Sequence, residues 1–219
     1  MARLRTKSER DIILQLIYDL YPEKRIELHF ETPFQLLVAV MLSAQMTDIW
    51  VNRATKELFK IVQTPSHLLK LKKEKVETML RSLNYYRVKT KHLFETAEKL
   101  TKVHHGHIPQ TLEAIRTFPG VGIKTAKVVL SHLYDMPFIG VDTHIHRVMN
   151  RMGIVKTKTP NETDEKLEKL LSDEQKRTLH HAIVLFWRYI CTAKKCQCSE
   201  TPLAEWCQCE ECTRKRIGK

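Results

Sequence analysis

A short glycine-containing turn between two helical patterns is the feature that most restricts how this chain can fold. The segment from Phe118 to Lys124 reads FPGVGIK, with Gly120 and Gly122 separated by one residue. Glycine allows a positive φ and has no Cβ to obstruct a ligand, so the amides of this turn could face phosphate oxygens. Apolar residues recur at helical spacing on both sides, which predicts a helix, a tight turn and a second helix whose N-terminus favours an anion. Lys124 would lie in the first turn of that second helix.

The charge balance of the chain favours a negatively charged partner. Its 219 residues include 37 Lys and Arg against 25 Asp and Glu, which gives a formal net charge of +12. Such a surface suits a polyanion, and nucleic acid is the leading partner, although a basic pI can also serve solubility alone. No apolar run is long enough for a membrane span, and the first ten residues lack the apolar core of a signal peptide. We expect a cytoplasmic protein with no membrane partner, associated with the nucleoid if the source is bacterial, and acting as a monomer.

Helical periodicity dominates the rest of the sequence. Only six glycines occur, and apolar residues recur at spacings of three and four far more often than they alternate, which predicts an all-α fold. Ser8 and Asp11 resemble a capping box ahead of a first helix. Thr32 and Pro33 begin a second helix that runs to Gln45 and is apolar on every side, so it should be central. Further helices are predicted at residues 48–59, 66–71, 73–82, 87–105, 111–118, 142–152, 162–171 and 173–190.

The turn is followed eighteen residues later by Asp142, in the segment VDTHIHR. A lysine attacks a carbon centre only as the neutral amine, whereas its ordinary pKa of about 10.4 keeps it protonated. A nearby carboxylate can take the proton, and Asp142 is the candidate base for Lys124. Two simpler roles stay open, since Lys124 could be a phosphate contact and Asp142 could be a helix N-cap. The two roles of Asp142 are compatible with each other.

The segments FPGVGIKTAKVVL and VDTHIHRVMNR, together with LLVAVMLSAQMTD at residues 36–48, carry a resemblance that covers almost the whole chain. The sequence resembles the endonuclease III family of helix-hairpin-helix DNA glycosylases. The resemblance implies that Lys124 displaces a damaged base and forms a Schiff base with the deoxyribose, with Asp142 as the activating carboxylate. It also implies β-elimination, which nicks the strand, and so a bifunctional glycosylase and abasic-site lyase acting on oxidised pyrimidines in damaged double-stranded DNA.

The predicted architecture is a two-lobed helix-hairpin-helix DNA glycosylase fold with a C-terminal cysteine-rich, iron-sulfur loop. One lobe comprises residues 26–134 and ends with the hairpin. The other joins residues 1–25 to residues 135–219, and DNA would bind between the lobes.

Residues that contact DNA are assigned by the same resemblance. Gln45 would fill the gap left by an extruded nucleotide, although a surface amide that ends a helix remains an alternative. Tyr85 stands where relatives use a leucine wedge, and an aromatic ring can also stack on bases. His144 is either a phosphate contact or a helix-surface histidine. The full predicted set is Gln45, Tyr85, Gly120, Val121, Gly122, Thr125 and His144.

All six cysteines lie within the last 29 residues, a clustering that indicates metal binding more than disulfides. The resemblance implies a 4Fe-4S cluster held by Cys-x6-Cys-x2-Cys-x5-Cys. The first, second and fourth positions of this pattern are Cys191, Cys198 and Cys207. The third is Thr201, which is not a credible ligand, and Cys212 is favoured as the missing thiolate over Cys196 and Cys209. Zinc, or the loss of the metal, remains open.

Two other functions are compatible with these motifs. A monofunctional or mismatch-directed DNA glycosylase of the same fold would use Lys124 only as a phosphate contact. A non-catalytic DNA-binding module would use the hairpin only to bind DNA.

Overall fold

The computed structural model describes residues 3–23 and 26–217, with side chains up to Arg214. The described residues form helices and no strand, which confirms the all-α prediction, and one isolated β-bridge joins Cys191 to Cys196. The helices are α1 (Lys7–Leu20), α2 (Pro33–Leu42), α3 (Asp48–Ile61), α4 (Pro65–Leu69), α5 (Lys73–Leu80), α6 (Tyr86–Val103), α7 (Leu112–Arg116), α8 (Ile123–Tyr134), α9 (Thr143–Arg151), α10 (Pro160–Leu170), α11 (Asp173–Tyr189) and α12 (Glu210–Ile217), with a short 3-10 helix at Cys198–Glu200.

The chain forms two compact units. The hairpin unit is Ile26–Met136 and contains α2 to α8. The cysteine unit joins Met1–Arg25 to Pro137–Lys219 and contains α1 and α9 to α12. Among the described helices, none combines the length and the apolar character that a membrane crossing requires.

Helix α2 is the centre of the hairpin unit. All residues from Phe34 to Leu42 are buried, and α2 packs against α3, α6 and α8, so the predicted central helix is confirmed. Its one buried polar side chain, Gln35, donates hydrogen bonds from Nε2 to the carbonyl oxygens of Phe59 and Val62, both at 2.9 Å. The burial of this amide is therefore compensated by hydrogen bonds.

The core of the cysteine unit is built from α1, α9 and α11. Helix α1 packs against α11, and α9 packs against α10 and α11. Apolar side chains from these helices are fully or almost fully buried, among them Ile13, Ile17, Val148, Met149, Ile183 and Phe186. The helix that begins after Asp142 is therefore fixed by core packing along one face.

The N-terminal cap of α1 differs from the prediction. Thr6 is the N-cap: its hydroxyl accepts from the amide of Glu9, and the Glu9 carboxylate accepts from the amide of Thr6 at 2.8 Å. Ser8 is the second residue of the helix and is exposed, so the capping box predicted at Ser8 and Asp11 is wrong. A glutamate three residues after the cap reaches back to the cap amide, which the shorter aspartate side chain does less well.

The turn between α7 and α8 requires glycine at one of its two positions. Gly120 has φ +75°, and a Cβ added there would lie 2.5 Å from Nδ1 of His92. Phe118 and Val121 are buried on either side, and the Val121 amide donates to the Phe118 carbonyl oxygen at 3.1 Å. Gly122 differs from Gly120, since it has φ −82° and no atom within 4 Å of an added Cβ.

We expect Gly120→Ala to lower the free energy of unfolding by about 1–3 kcal/mol, because an alanine is strained at positive φ and its Cβ would overlap the His92 ring. Gly122→Ala is the matched control and should cost clearly less. Chemical denaturation measures both. Adding His92→Ala to Gly120→Ala should recover the part of the loss that comes from the overlap. Equal losses in the two single variants would contradict the account of the turn.

Candidate functional site

Helix α8 begins directly after the turn, with Gly122 as its N-cap. The first amides of a helix have no partner within it, and Gly122 has no side chain to cap them. The start of α8 is therefore suited to an anion such as a phosphate. Lys124 and Thr125, both half-buried, lie in its first turn as the sequence predicted.

Asp48 lies within electrostatic reach of Lys124 and was missed as a site residue. Burial raises the pKa of the Asp48 carboxyl above its ordinary value, and the positive charge of Lys124 partly opposes that rise. Asp48 is the first residue of α3, directly after the N-cap Thr47. Its proximity to Lys124 depends on how α3 and α8 pack on α2, which no local motif encodes.

Asp142 is the N-cap of α9. Its Oδ1 accepts hydrogen bonds from the amides of His144 and Ile145, both at 2.9 Å. The capping role left open by the sequence is therefore present, and it fixes the position of the carboxylate. Asp142 belongs to the cysteine unit, and Lys124 belongs to the hairpin unit.

The ring of His144 is held inside the cysteine unit. It stacks on Trp187, with ring centroids 4.0 Å apart and planes 11° from parallel. Its Nδ1 accepts from the Arg147 guanidinium at 2.9 Å. These contacts orient the ring, and a phosphate contact by His144 stays a prediction.

Gln45 and Tyr85 share an unusual backbone conformation. Both are exposed, and both have a left-handed φ, 57° for Gln45 and 56° for Tyr85. A residue other than glycine is strained there, at a cost of about 1–3 kcal/mol, and such strain concentrates at functional sites. The two exposed residues are therefore candidates for contact with a ligand.

The loops that carry Gln45 and Tyr85 are tied to each other. The Asn84 amide donates to Sδ of Met46 at 3.5 Å, and its side-chain nitrogen lies 3.5 Å from the Gln45 carbonyl oxygen. Lys89 donates to two carbonyl oxygens at the end of α2, those of Leu42 and Ala44, both at 2.8 Å. These bonds satisfy carbonyl oxygens at the helix end. Helix α2 ends at Leu42, so its predicted continuation to Gln45 is wrong.

Four of the six cysteines form a compact group, which we call the thiol group. Its members are Cys196, Cys198, Cys207 and Cys212, all buried, with sulfur atoms within 4.8 Å of one another. The Cys196 sulfur lies 3.2 Å from that of Cys198, 3.4 Å from that of Cys212 and 3.7 Å from that of Cys207. None of the six cysteines, all of which are described, forms a disulfide. This donor set suits a soft metal centre.

Two predicted positions lie outside the thiol group. Cys191 is buried, its sulfur accepts a hydrogen bond from Arg151 at 3.5 Å, and it also interacts with the sulfurs of Cys196 and Cys198. Thr201 donates from its hydroxyl to the Cys198 carbonyl oxygen at 2.8 Å and accepts from the Leu203 amide at 3.2 Å. Thr201 thus stabilises a turn, consistent with its exclusion as a ligand.

Two arginines connect α9 to the cysteine segment, by which we mean residues 191–212. Arg147 donates to the Cys191 carbonyl oxygen at 2.9 Å, and Arg151 donates to the Thr192 carbonyl oxygen at 2.8 Å. Because Asp142 caps the same helix, the position of its carboxylate is linked to the order of residues 191–193.

Comparisons with known proteins agree with this arrangement. A model of the HhH-GPD superfamily of base excision DNA repair proteins matches residues 38–173, which is more than half of the chain. The chain is 38% identical to endonuclease III of Escherichia coli (strain K12) over 205 residues, covering 94% of this chain and 97% of the relative. It is 36% identical to endonuclease III of Bacillus subtilis (strain 168) over 199 residues, covering 90% of this chain and 91% of the relative.

Solved structures give the same result. A trapped endonuclease III–DNA covalent intermediate matches with a TM-score of 0.90 at 34% identity, covering 97% of this chain and all of the other. A non-covalent endonuclease III–DNA complex also matches with a TM-score of 0.90, at 35% identity, covering 99% of this chain and all of the other. These matches confirm the resemblance carried by the sequence motifs. The chain therefore belongs to the endonuclease III family of helix-hairpin-helix DNA glycosylases.

Proposed function

We propose that this protein removes oxidised pyrimidines from duplex DNA and then cleaves the strand at the resulting abasic sugar. Base-excision repair by a bifunctional glycosylase and abasic-site lyase is the function of its family. The observation that carries the proposal is the place of Lys124, in the first turn of α8 directly behind the glycine turn. An amine there lies beside a site suited to the phosphate of the target nucleotide.

In the proposed reaction the neutral amine of Lys124 attacks C1′ of the damaged nucleoside. The bond between C1′ and the base breaks, and the base leaves with its bonding electron pair and a proton. The nitrogen gives up one proton, the C1′–O4′ bond of the covalent adduct breaks while O4′ takes up a proton, and the nitrogen, which keeps its other proton, forms a protonated imine with C1′. Removal of a C2′ proton then expels the 3′ phosphate by β-elimination, and water hydrolyses the imine to release the enzyme.

Asp142 is assigned the role of proton acceptor for Lys124. Its Oδ1 accepts from the amides of His144 and Ile145, which fixes the position of the carboxylate. The negative charge also favours the positive charge that develops on the sugar. Asp48 is a second carboxylate within electrostatic reach of Lys124.

We assign phosphate binding and base extrusion mainly to residues of the hairpin unit. The amides from Gly120 to Gly122, with the Thr125 hydroxyl, are assigned to phosphate oxygens. Extruding a base costs a few kcal/mol of stacking and pairing, and damaged bases yield first. Gln45 is assigned to the gap that the extruded nucleotide leaves, and Tyr85 is assigned as the wedge. Their tied loops and strained backbones support insertion by a rigid tip. His144 is kept as a phosphate contact.

We propose that the cysteine segment binds a 4Fe-4S cluster, as the family does. Four buried thiols match the donors that such a cluster needs in type and number, although their spacing departs from the family pattern at Thr201. The ligands predicted from the sequence, Cys191, Cys198, Cys207 and Cys212, include three members of the thiol group. Bound metal would supply structural order, since thiolate coordination couples to folding. We further propose that the protein acts as a monomer on the genome, in the cytoplasm if the source is bacterial.

Lys124→Ala should abolish both covalent trapping by borohydride on damaged duplex and strand nicking, because no amine remains to form the imine. Lys124→Arg is the matched variant, since it keeps the positive charge without a nucleophilic amine. Both should bind DNA within a few-fold of the wild type, measured by a filter or gel assay. Lys91→Ala, at an exposed position on α6, should behave as the wild type. Nicking by Lys124→Ala would show that the lysine is only a phosphate contact, as in the monofunctional alternative.

Asp142→Asn should slow single-turnover base release by about 10²–10⁴-fold while leaving α9 intact, because asparagine keeps the capping oxygen but not the base. Asp142→Ser tests the same separation with a different cap. Asp142→Ala should lose the cap as well, and its melting temperature should fall below that of the other two. A near wild-type rate for Asp142→Asn would remove the carboxylate from the mechanism.

Tyr85→Ala should weaken binding to damaged duplex by about 1–3 kcal/mol, since the stacking surface is lost. Tyr85→Phe keeps the ring and should bind as the wild type. Tyr85→Leu supplies the residue that the family resemblance implies and should retain most of the affinity. Equal affinities for the alanine and phenylalanine variants would exclude Tyr85 as the wedge.

A further inference from the structure

The thiol group does not follow the ligand spacing that the family resemblance implies. That spacing would use Cys191, Cys198, Cys207 and the position of Thr201. In the structure, Cys198 and Cys207 are joined instead by Cys196 and Cys212, with the four sulfur atoms within 4.8 Å of one another. The disagreement concerns which thiols are brought together, and it can be tested residue by residue.

Cys212 reaches the group on the first helical turn of α12. Helix α12 is attached at this point, because the Glu211 carboxylate accepts from the Cys196 amide at 2.9 Å. The Cys212 amide also lies 3.4 Å from Sγ of Cys209. The Glu211 contact thus connects the beginning of α12 to Cys196, and the Cys212 side chain is buried, with 1% exposed.

Cys196 lies near the beginning of the cysteine segment, whereas Cys212 lies at its end. Its backbone forms the isolated bridge with Cys191, and its sulfur lies within 3.7 Å of three other sulfurs, those of Cys198, Cys207 and Cys212. Cys196 is therefore the most central of the thiols. A role restricted to packing would not require four sulfurs to converge on one point.

Cys191 is held in a different way. Its amide donates to the Phe186 carbonyl oxygen at 2.8 Å, which continues the end of α11. Arg147 binds its carbonyl oxygen, and Arg151 binds its sulfur. The Cys191 sulfur also interacts with the sulfurs of Cys196 and Cys198, but Cys191 is not one of the four cysteines whose sulfurs all lie within 4.8 Å of one another. The contacts with α9 and α11 attach this residue to the helical core.

We propose that the metal centre of this chain is bound by Cys196, Cys198, Cys207 and Cys212, a Cys-x-Cys-x8-Cys-x4-Cys pattern, and not by Cys191. The inference rests on the proposed metal binding of the cysteine segment. Thiolates of this kind hold either an iron-sulfur cluster or zinc. A single zinc at about 2.3 Å from each sulfur would place tetrahedral ligands about 3.8 Å apart, close to the observed separations. In a four-iron cluster each thiolate binds a different iron, so the same four side chains would have to open outward.

The test uses the full chain, purified without oxygen, and six single Cys→Ser variants. Iron, acid-labile sulfide and zinc are measured per folded chain, together with the visible absorption and the melting temperature. We expect Cys196→Ser, Cys198→Ser, Cys207→Ser and Cys212→Ser to lose most of the metal. Cys191→Ser and Cys209→Ser should retain it. Because Cys191 is buried, Cys191→Ala is measured beside Cys191→Ser, so that a folding defect is not mistaken for a lost ligand.

Cys191 and Cys196 decide the ligand set. Metal loss in both Cys191 variants, or full metal retention in Cys196→Ser, would overturn it while leaving metal binding itself established. A wild-type protein with neither iron nor zinc would overturn metal binding and this inference with it. Zinc without sulfide, lost from the four named variants, would support the ligand set and overturn the iron-sulfur proposal alone.

Discussion

The turn between α7 and α8 packs closely on the His92 ring because Gly120 places no side chain between its backbone and that ring. That close approach fixes where α8 begins, and the start of α8 in turn fixes Lys124 beside amides that suit a phosphate. Gly122 has open space around it, so the two glycines have different roles. Gly120 permits the packing of the turn, and Gly122 leaves the approach to the helix N-terminus unobstructed.

Much of the fold follows from the sequence, because helical periodicity and the scarcity of glycine leave few alternatives. The apolar α2 and the hairpin were predictable for this reason. The cap of α1 was predicted wrongly, since Ser8 and Asp11 have the capping-box spacing but Thr6 with Glu9 has it too, with the better residue type. The spacing of residues does not distinguish two overlapping capping boxes when the length of the acidic side chain determines which one forms.

The parts of the site that the sequence did not disclose depend on packing between distant segments. Asp48 lies near Lys124 through the arrangement of α3 and α8, and the convergence of Cys196 with Cys212 requires α12 to fold back. The left-handed backbones of Gln45 and Tyr85 have no sequence signal at all, because neither residue is a glycine. Strain of this kind is visible only once the surrounding loops hold it in place.

The arginine contacts of α9 connect the cysteine segment with the carboxylate of Asp142. Arg147 and Arg151 hold residues 191–192, while the N-terminus of the same helix is closed by Asp142. One rigid helix therefore couples the conformation of residues 191–192, at one end of the cysteine-rich region, to the orientation of a carboxylate at the opposite helix terminus.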